Sequence, residues 1–234
     1  MSELKVKEKD IVVPGEIIAT GMDFLPSQGT VREGENLVAT CIGVVNIEGR
    51  VIKVIALNER YMPKPGDVIV GKVIDISFGA WFLEIGCAMN ATLPMRETPE
   101  FIETGSDLTR YYTFGDYLVA KIIKTTRTNV DITMKDQGLR RLGIGKLLYV
   151  STAKVPRIIG KQGSMISMIK EKTNCRIVVG KNGWIWIQGE PEDEQIAAEA
   201  IRIIDENAHK EGLTERIESF VMSKKQGGEK NEAQ

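Results

Sequence analysis

Two glycines three positions apart, Gly160 and Gly163, enclose Lys161 and Gln162 in the stretch VPRIIGKQGSMISMIK (155–170). These residue types suit the gripping of a charged backbone. Glycine has no Cβ, so it admits unusual φ values and lets another chain come close. The apolar spacing after Gly163 predicts a helix, whose first turn offers N–H groups and the positive end of a dipole to an anion. Lys161 adds a point charge, and a phosphodiester meets all of these terms. A G-x-x-G taken alone also fits any corner between packed helices. It is not a nucleotide-binding P-loop, because G-x-x-x-x-G-K-[ST] does not occur in the chain.

Other chemistry is scarce. His209 is the only histidine, which excludes most histidine-based catalysis and any multi-histidine metal site. Cys41, Cys87 and Cys175 are odd in number, far apart and set in apolar runs, as expected of buried thiols in a reducing cytoplasm. No catalytic constellation, cofactor site or metal site is assigned. The chain has no run of 18 apolar residues, so no membrane span is expected, and the charged opening MSELKVKEKD does not read as a secretory signal. A soluble cytoplasmic protein is expected.

The net charge of −1 conceals a polar distribution. From Gln137 to Lys181 ten basic residues face one acid, for a net charge of +9, whereas 182–220 carries −7. A basic segment containing the glycine pair suits a polyanion, although a basic face could also pack against its acidic neighbour.

Three kinds of patterning follow along the 234 residues. Residues 1–64 read as short β-strands, with IVVPGEIIAT and NLVATCIGVVNIEGRVIKVIAL as strand runs, NIEGR as a hairpin turn and GMDFLPSQGTVREGEN as loop. MPKPGD (62–67) marks a boundary. Residues 65–137 contain five short strands with a long connection at 96–115, which suits a small closed barrel. Residues 138–222 give the order β-α-α-β-β-α, including an amphipathic helix over EDEQIAAEAIRIIDENAHK with acids in its first turn. The polar end, 223–234, is expected to be a disordered tail. The fold class is therefore multidomain, mainly β plus α+β.

In that context VPRIIGKQGSMISMIKEKTNCRIVV…GWIWIQG resembles the KH domain in its type I arrangement. The resemblance implies that Gly160, Lys161, Gln162 and Gly163 clamp the backbone of single-stranded RNA, with Arg157 and Arg176 as flanking contacts. PGDVIVGKVIDISFGAWFLEIG and GDYLVAKIIKTT resemble the S1 domain, an OB-type five-stranded RNA-binding barrel. This likeness implies that Phe78 and Trp81 stack on bases. Alternation along a strand requires that Trp81 or Phe82 point into the core. Pro94 stands where that family often has a histidine, and an acid common near the end of the fourth strand is replaced around TTRTN. Residues 66–136 carry a net −3, so the barrel should bind RNA weakly alone, with Arg96, Lys121 and Arg127 as candidate phosphate contacts.

Over residues 11–220 the chain is similar to the exosome RNA-binding cap family that carries both S1 and KH domains, in a compact form that looks archaeal. The resemblance implies a non-catalytic role. Three copies would sit on a hexameric ring of RNase PH-like subunits, with N-terminal domains docked on the ring and S1 barrels around the entry pore. RNA 3′ ends would be captured and threaded inward for degradation, and three modest sites at one pore would act through effective concentration. Arg60 and Tyr61 are the expected interface anchors. A free-standing RNA-binding factor of the NusA or ribosomal type is the alternative, and a nuclease the third reading.

Overall fold

The computed structural model describes residues 2–57, 60–207 and 212–231; His209 and the last residues of the expected tail, 232–234, lie outside them. The chain divides into two compact units, 1–59 and 60–234.

The first unit holds β1 (Glu3–Leu4), β2 (Ile11–Val12), β3 (Ile17–Thr20), β4 (Leu25–Pro26), β5 (Thr30–Glu33), β6 (Asn36–Ala39), β7 (Gly43–Glu48) and β8 (Val51–Ala56). They form two four-stranded sheets, β1-β3-β6-β5 and β2-β7-β8-β4. One core of Val12, Ile18, Ala19, Leu37, Ala39, Val45, Ile52 and Val54 joins them. The expected hairpin is present: Glu48 pairs with Val51 across Gly49 and Arg50. The stretch expected to be loop carries β4 and β5 instead. Pro26 is tolerated because β4 is an edge strand, and the Arg32 guanidinium donates to the carbonyls of Gly21 and Phe24, organising the approach to it.

The second unit opens with a barrel closed in the order β10-β11-β13-β12-β9. Its strands are β9 (Val68–Ser77), β10 (Ala80–Glu84), β11 (Ala91–Pro94), β12 (Tyr117–Thr125) and β13 (Val130–Thr133). All pairings are antiparallel except β11 with β13, as expected of an OB-type barrel. The boundary falls before Arg60 rather than after residue 64, because Tyr61 belongs to the barrel core and its hydroxyl donates to Asp67 Oδ2 at 3.0 Å.

The remainder contains β14 (Lys146–Tyr149), α1 (Val155–Ile159), α2 (Ser164–Thr173), β15 (Arg176–Val179), β16 (Trp184–Gln188), α3 (Pro191–Asn207) and α4 (Leu213–Asn231). The sheet order is β14-β16-β15. Helix α4 replaces the disorder expected from residue 223. Leu213, Ile217 and Val221 bury one stripe at i, i+4, i+8 spacing. Beyond them Lys224 and Lys225 pair with Glu199 and Asp193 of α3, which holds down the polar half.

Strand β16 is buried on both faces. Ile185 and Ile187 enter the core beneath the helices, while Trp184 and Trp186 point the other way, onto Val70 of β9 and Val119 of β12. A period of two sends alternate residues to opposite faces, so WIWIQ belongs to two cores at once. A second G-x-x-G, Gly180-Lys181-Asn182-Gly183, closes the β15–β16 hairpin and completes the junction. Asn182 accepts from Val70 N at 3.2 Å and donates to the carbonyls of Val70 (2.7 Å) and Ile85 (3.0 Å). Lys181 pairs with Asp67 at 2.9 Å. Barrel and α+β part thus fall within one compact unit.

Candidate nucleic-acid interface

The glycine loop between α1 and α2 has the geometry that its residue types predict. Gly160 has φ +76° and Gly163 φ +80°, both costly for residues with a Cβ, and Gln162 itself lies in the left-handed region at φ +53°. A Cβ on Gly160 would stand 2.7 Å from both the backbone nitrogen and the Cβ of Met165, so glycine lets the loop close against the first turn of α2. No side chain caps that helix; Ser164 N–H donates to the Lys161 carbonyl, and the donors that follow it in the first turn have no side-chain acceptor and suit an anion. Lys161 and Gln162 are exposed at the tip.

The flanking charges divide into two groups. Arg157 is exposed on α1, one turn before the loop. Arg176 starts β15, beyond the opposite end of α2. That helix has ten residues and spans about 15 Å, so the fold does not bring Arg176 to the loop. Part of the +9 charge is neutralised internally: Lys154 meets Asp205 and Lys172 meets Glu218, both at 3.3 Å. The basic segment does pack on its acidic neighbour at these two points. Lys161 and Lys170 remain exposed without an ion pair among the described residues.

On the barrel the two expected stacking residues part company. Phe78 is 91% exposed in the β9–β10 turn. Trp81 is fully buried, so its expected role in stacking is corrected. Its ring meets Tyr112 edge to face at 5.1 Å, and its Nε1 donates to the Tyr112 carbonyl at 3.1 Å. The long connection between β11 and β12 lays Ile102, Leu108 and Tyr112 against the barrel core.

The three candidate phosphate contacts do not converge. Arg96 is exposed in a helical turn just after β11. It lies at the Phe78 end of the barrel, because Met95 N donates to the carbonyl of Gly79 at 2.9 Å. Arg127 sits in the β12–β13 hairpin, beside the start of β11 and so at the other end. Lys121 is engaged by Asp136 at 2.7 Å. A further residue, Phe101, is 90% exposed within the long connection; an aromatic set between Glu100 and Glu103, apart from the other aromatics of that connection, was the available signal.

Of the two expected interface anchors, Arg60 is exposed and Tyr61 is not. Burial first, then the neighbouring Asp67 carboxylate, push the Tyr61 phenol well above its usual range. Tyr61 is a core residue and the anchor role is withdrawn. The first unit offers a larger feature. Ile11, Val44 and Ile55 form a cross-strand row on the outer face of β2-β7-β8. Val13, Ile42 and Leu57 flank it in the adjoining register, and all but Val44 are exposed.

Among the described residues no group of three His, Cys, Asp or Glu could hold a metal ion, and no helix is long and apolar enough to cross a membrane. Cys175 is buried, which raises its thiol pKa.

Comparison with known proteins matches residues 60–102 to the RRP4 S1 domain and residues 146–203 to the KH domain. The exosome complex component Rrp4 of Methanothermus fervidus is 40% identical over 221 residues, covering 94% of this chain and 98% of its own. The chain belongs to the Rrp4 family. The Rrp4 of Pyrococcus furiosus is also 40% identical, with 97% and 88% covered. A crystal structure of an exosome complex RNA-binding protein superposes with a TM-score of 0.65 at 34% identity, over 72% of this chain and 98% of that one. The expected family and fold class, an S1 barrel and a KH domain after an N-terminal β domain, are both borne out.

Proposed function

We propose that this Rrp4-family protein is a non-catalytic RNA-binding cap subunit of an exosome, which captures single-stranded RNA and directs it to degradation. The observation that carries the reading is the Gly160–Gly163 loop, closed onto an uncapped helix with Lys161 and Gln162 at its tip. A strand held through its phosphates by backbone donors and one lysine is bound with little regard to sequence, as a general degradation entrance requires.

Three copies would stand on a hexameric ring of RNase PH-like subunits. The outer face of β2-β7-β8 supports this: an exposed row of branched apolar side chains is a surface to be covered by protein. The −3 charge of the barrel suits a passage that must release the strand as it moves.

The test is fluorescence anisotropy with labelled single-stranded RNA at fixed salt. Lys161→Asp with Gln162→Asp should weaken binding at least tenfold while the thermal midpoint stays put, because two exposed side chains change sign or polarity without altering the core. Unchanged affinity would remove the loop from the interface.

A further inference from the structure

We infer that Phe78, Arg96 and Phe101 form one stacking platform on the S1 barrel, in which two rings take bases on either side of a phosphate held by Arg96. The inference rests on the RNA-binding reading above and adds Phe101, for which that reading has no role.

The barrel presents its two most exposed aromatic rings, Phe78 and Phe101, from separate connections. Hydrogen bonds join those connections at one end of the barrel. Met95 N donates to the Gly79 carbonyl, next to Phe78. The Thr98 hydroxyl lies 2.7 Å from the Met95 carbonyl and 2.8 Å from that of Glu100, next to Phe101. Thr98 itself is buried. A third tie runs from Met134 N to the Glu97 carbonyl at 2.8 Å, fixing the turn to the end of β13. Arg96 lies inside this scaffold and is exposed.

Phe101 is also prevented from turning inward. The next residue, Ile102, is buried in the barrel core and anchors the backbone there, while Phe101 itself is 90% exposed. An exposed ring on a braced backbone loses little conformational freedom when a base stacks on it. The charges say what kind of grip this is. Glu100 and Glu103 are exposed beside Phe101, so phosphates are repelled around the platform and held only by Arg96. Stacking with a single phosphate contact tolerates any base and lets a strand advance. It also answers the loss of Trp81: the long connection that buries the indole supplies Phe101 in exchange.

The experiment uses the full chain. The three native tryptophans, Trp81, Trp184 and Trp186, are all buried, so Phe101→Trp and Phe78→Trp each add a single exposed reporter. A single-stranded oligoadenylate is titrated in, with saturation followed by anisotropy of the labelled RNA in the same samples. Emission from both variants should be quenched at saturation and shielded from acrylamide, and Phe101→Ala should weaken binding about tenfold. Saturating RNA that quenches Phe78→Trp but leaves Phe101→Trp unchanged would overturn the platform and leave the RNA-binding reading standing. Quenching of Phe101→Trp by purified ring subunits, with none by RNA, would reassign the ring to a protein contact and also overturn it. No RNA binding by any form would remove both readings together.

Discussion

Replacing Trp81 with alanine should destabilise the protein by about 3–5 kcal/mol, the usual cost of emptying a large aromatic site. It would also leave the Tyr112 carbonyl without its donor. Chemical denaturation measures the loss, and RNA affinity of the folded fraction should be unchanged, the opposite of what a stacking residue gives. The sequence shows that Trp81 or Phe82 must point inward, since neighbours on a strand face opposite ways. What covers Trp81 is not legible there, because Tyr112 stands far downstream in a connection with no regular pattern. The glycine loop was legible in full, since each of its properties is local: two residues free of Cβ, a helix starting next to them, and a lysine between. The distance of Arg176 from the loop was not legible for a comparable reason, as it depends on the direction of α2 and not on separation along the chain.

At the scale of elements, the strand-like runs and the amphipathic α3 were legible because hydrophobic period reports directly on one buried face. Helix α4 was missed because its composition is polar, although Leu213, Ile217 and Val221 carry the right spacing. Composition describes a segment in isolation, and α4 is held by partners on α3. The segment before β9 illustrates the same limit through Tyr61. Its phenol is raised by burial and by Asp67, so the folded form resists ionisation more than the unfolded form. The stability this contributes is complete below the ordinary phenol pKa of about 10 and is lost as pH climbs above it. Tyr112 adds in the same direction through its own burial. Tyr61→Phe should therefore cost about 1–2 kcal/mol at neutral pH, through the lost bond to a carboxylate. Its stability should also fall less steeply than that of the parent above pH 10, as read from denaturant midpoints across an alkaline series.

Across the whole molecule, two surfaces give separate expectations. On the outer face of β2-β7-β8, Ile55→Asp leaves the core of the first unit untouched, since Ile55 is exposed. Recovery of RNase PH-like subunits with the protein from nuclease-treated native lysate should drop to background while RNA binding persists. Retention of those subunits would place docking elsewhere. At the junction between barrel and KH domain, Asn182→Ala would leave Val70 N and the carbonyls of Val70 and Ile85 without partners. A loss of about 2–4 kcal/mol follows, and limited proteolysis should begin to cut between 138 and 145. The junction was only half visible beforehand. Alternating Trp and Ile in WIWIQ implies that both faces are covered, yet the cover for the indoles comes from β9 and β12, which read as parts of a self-sufficient barrel. That shared strand has a practical corollary for anyone dissecting the protein. Cutting after residue 137 would yield one fragment with two indoles open to water and another with bare valines on its wall, each inclined to aggregate. A chimera borrowing this KH domain would have to borrow its barrel with it, so the smallest portable RNA-binding piece begins at Arg60.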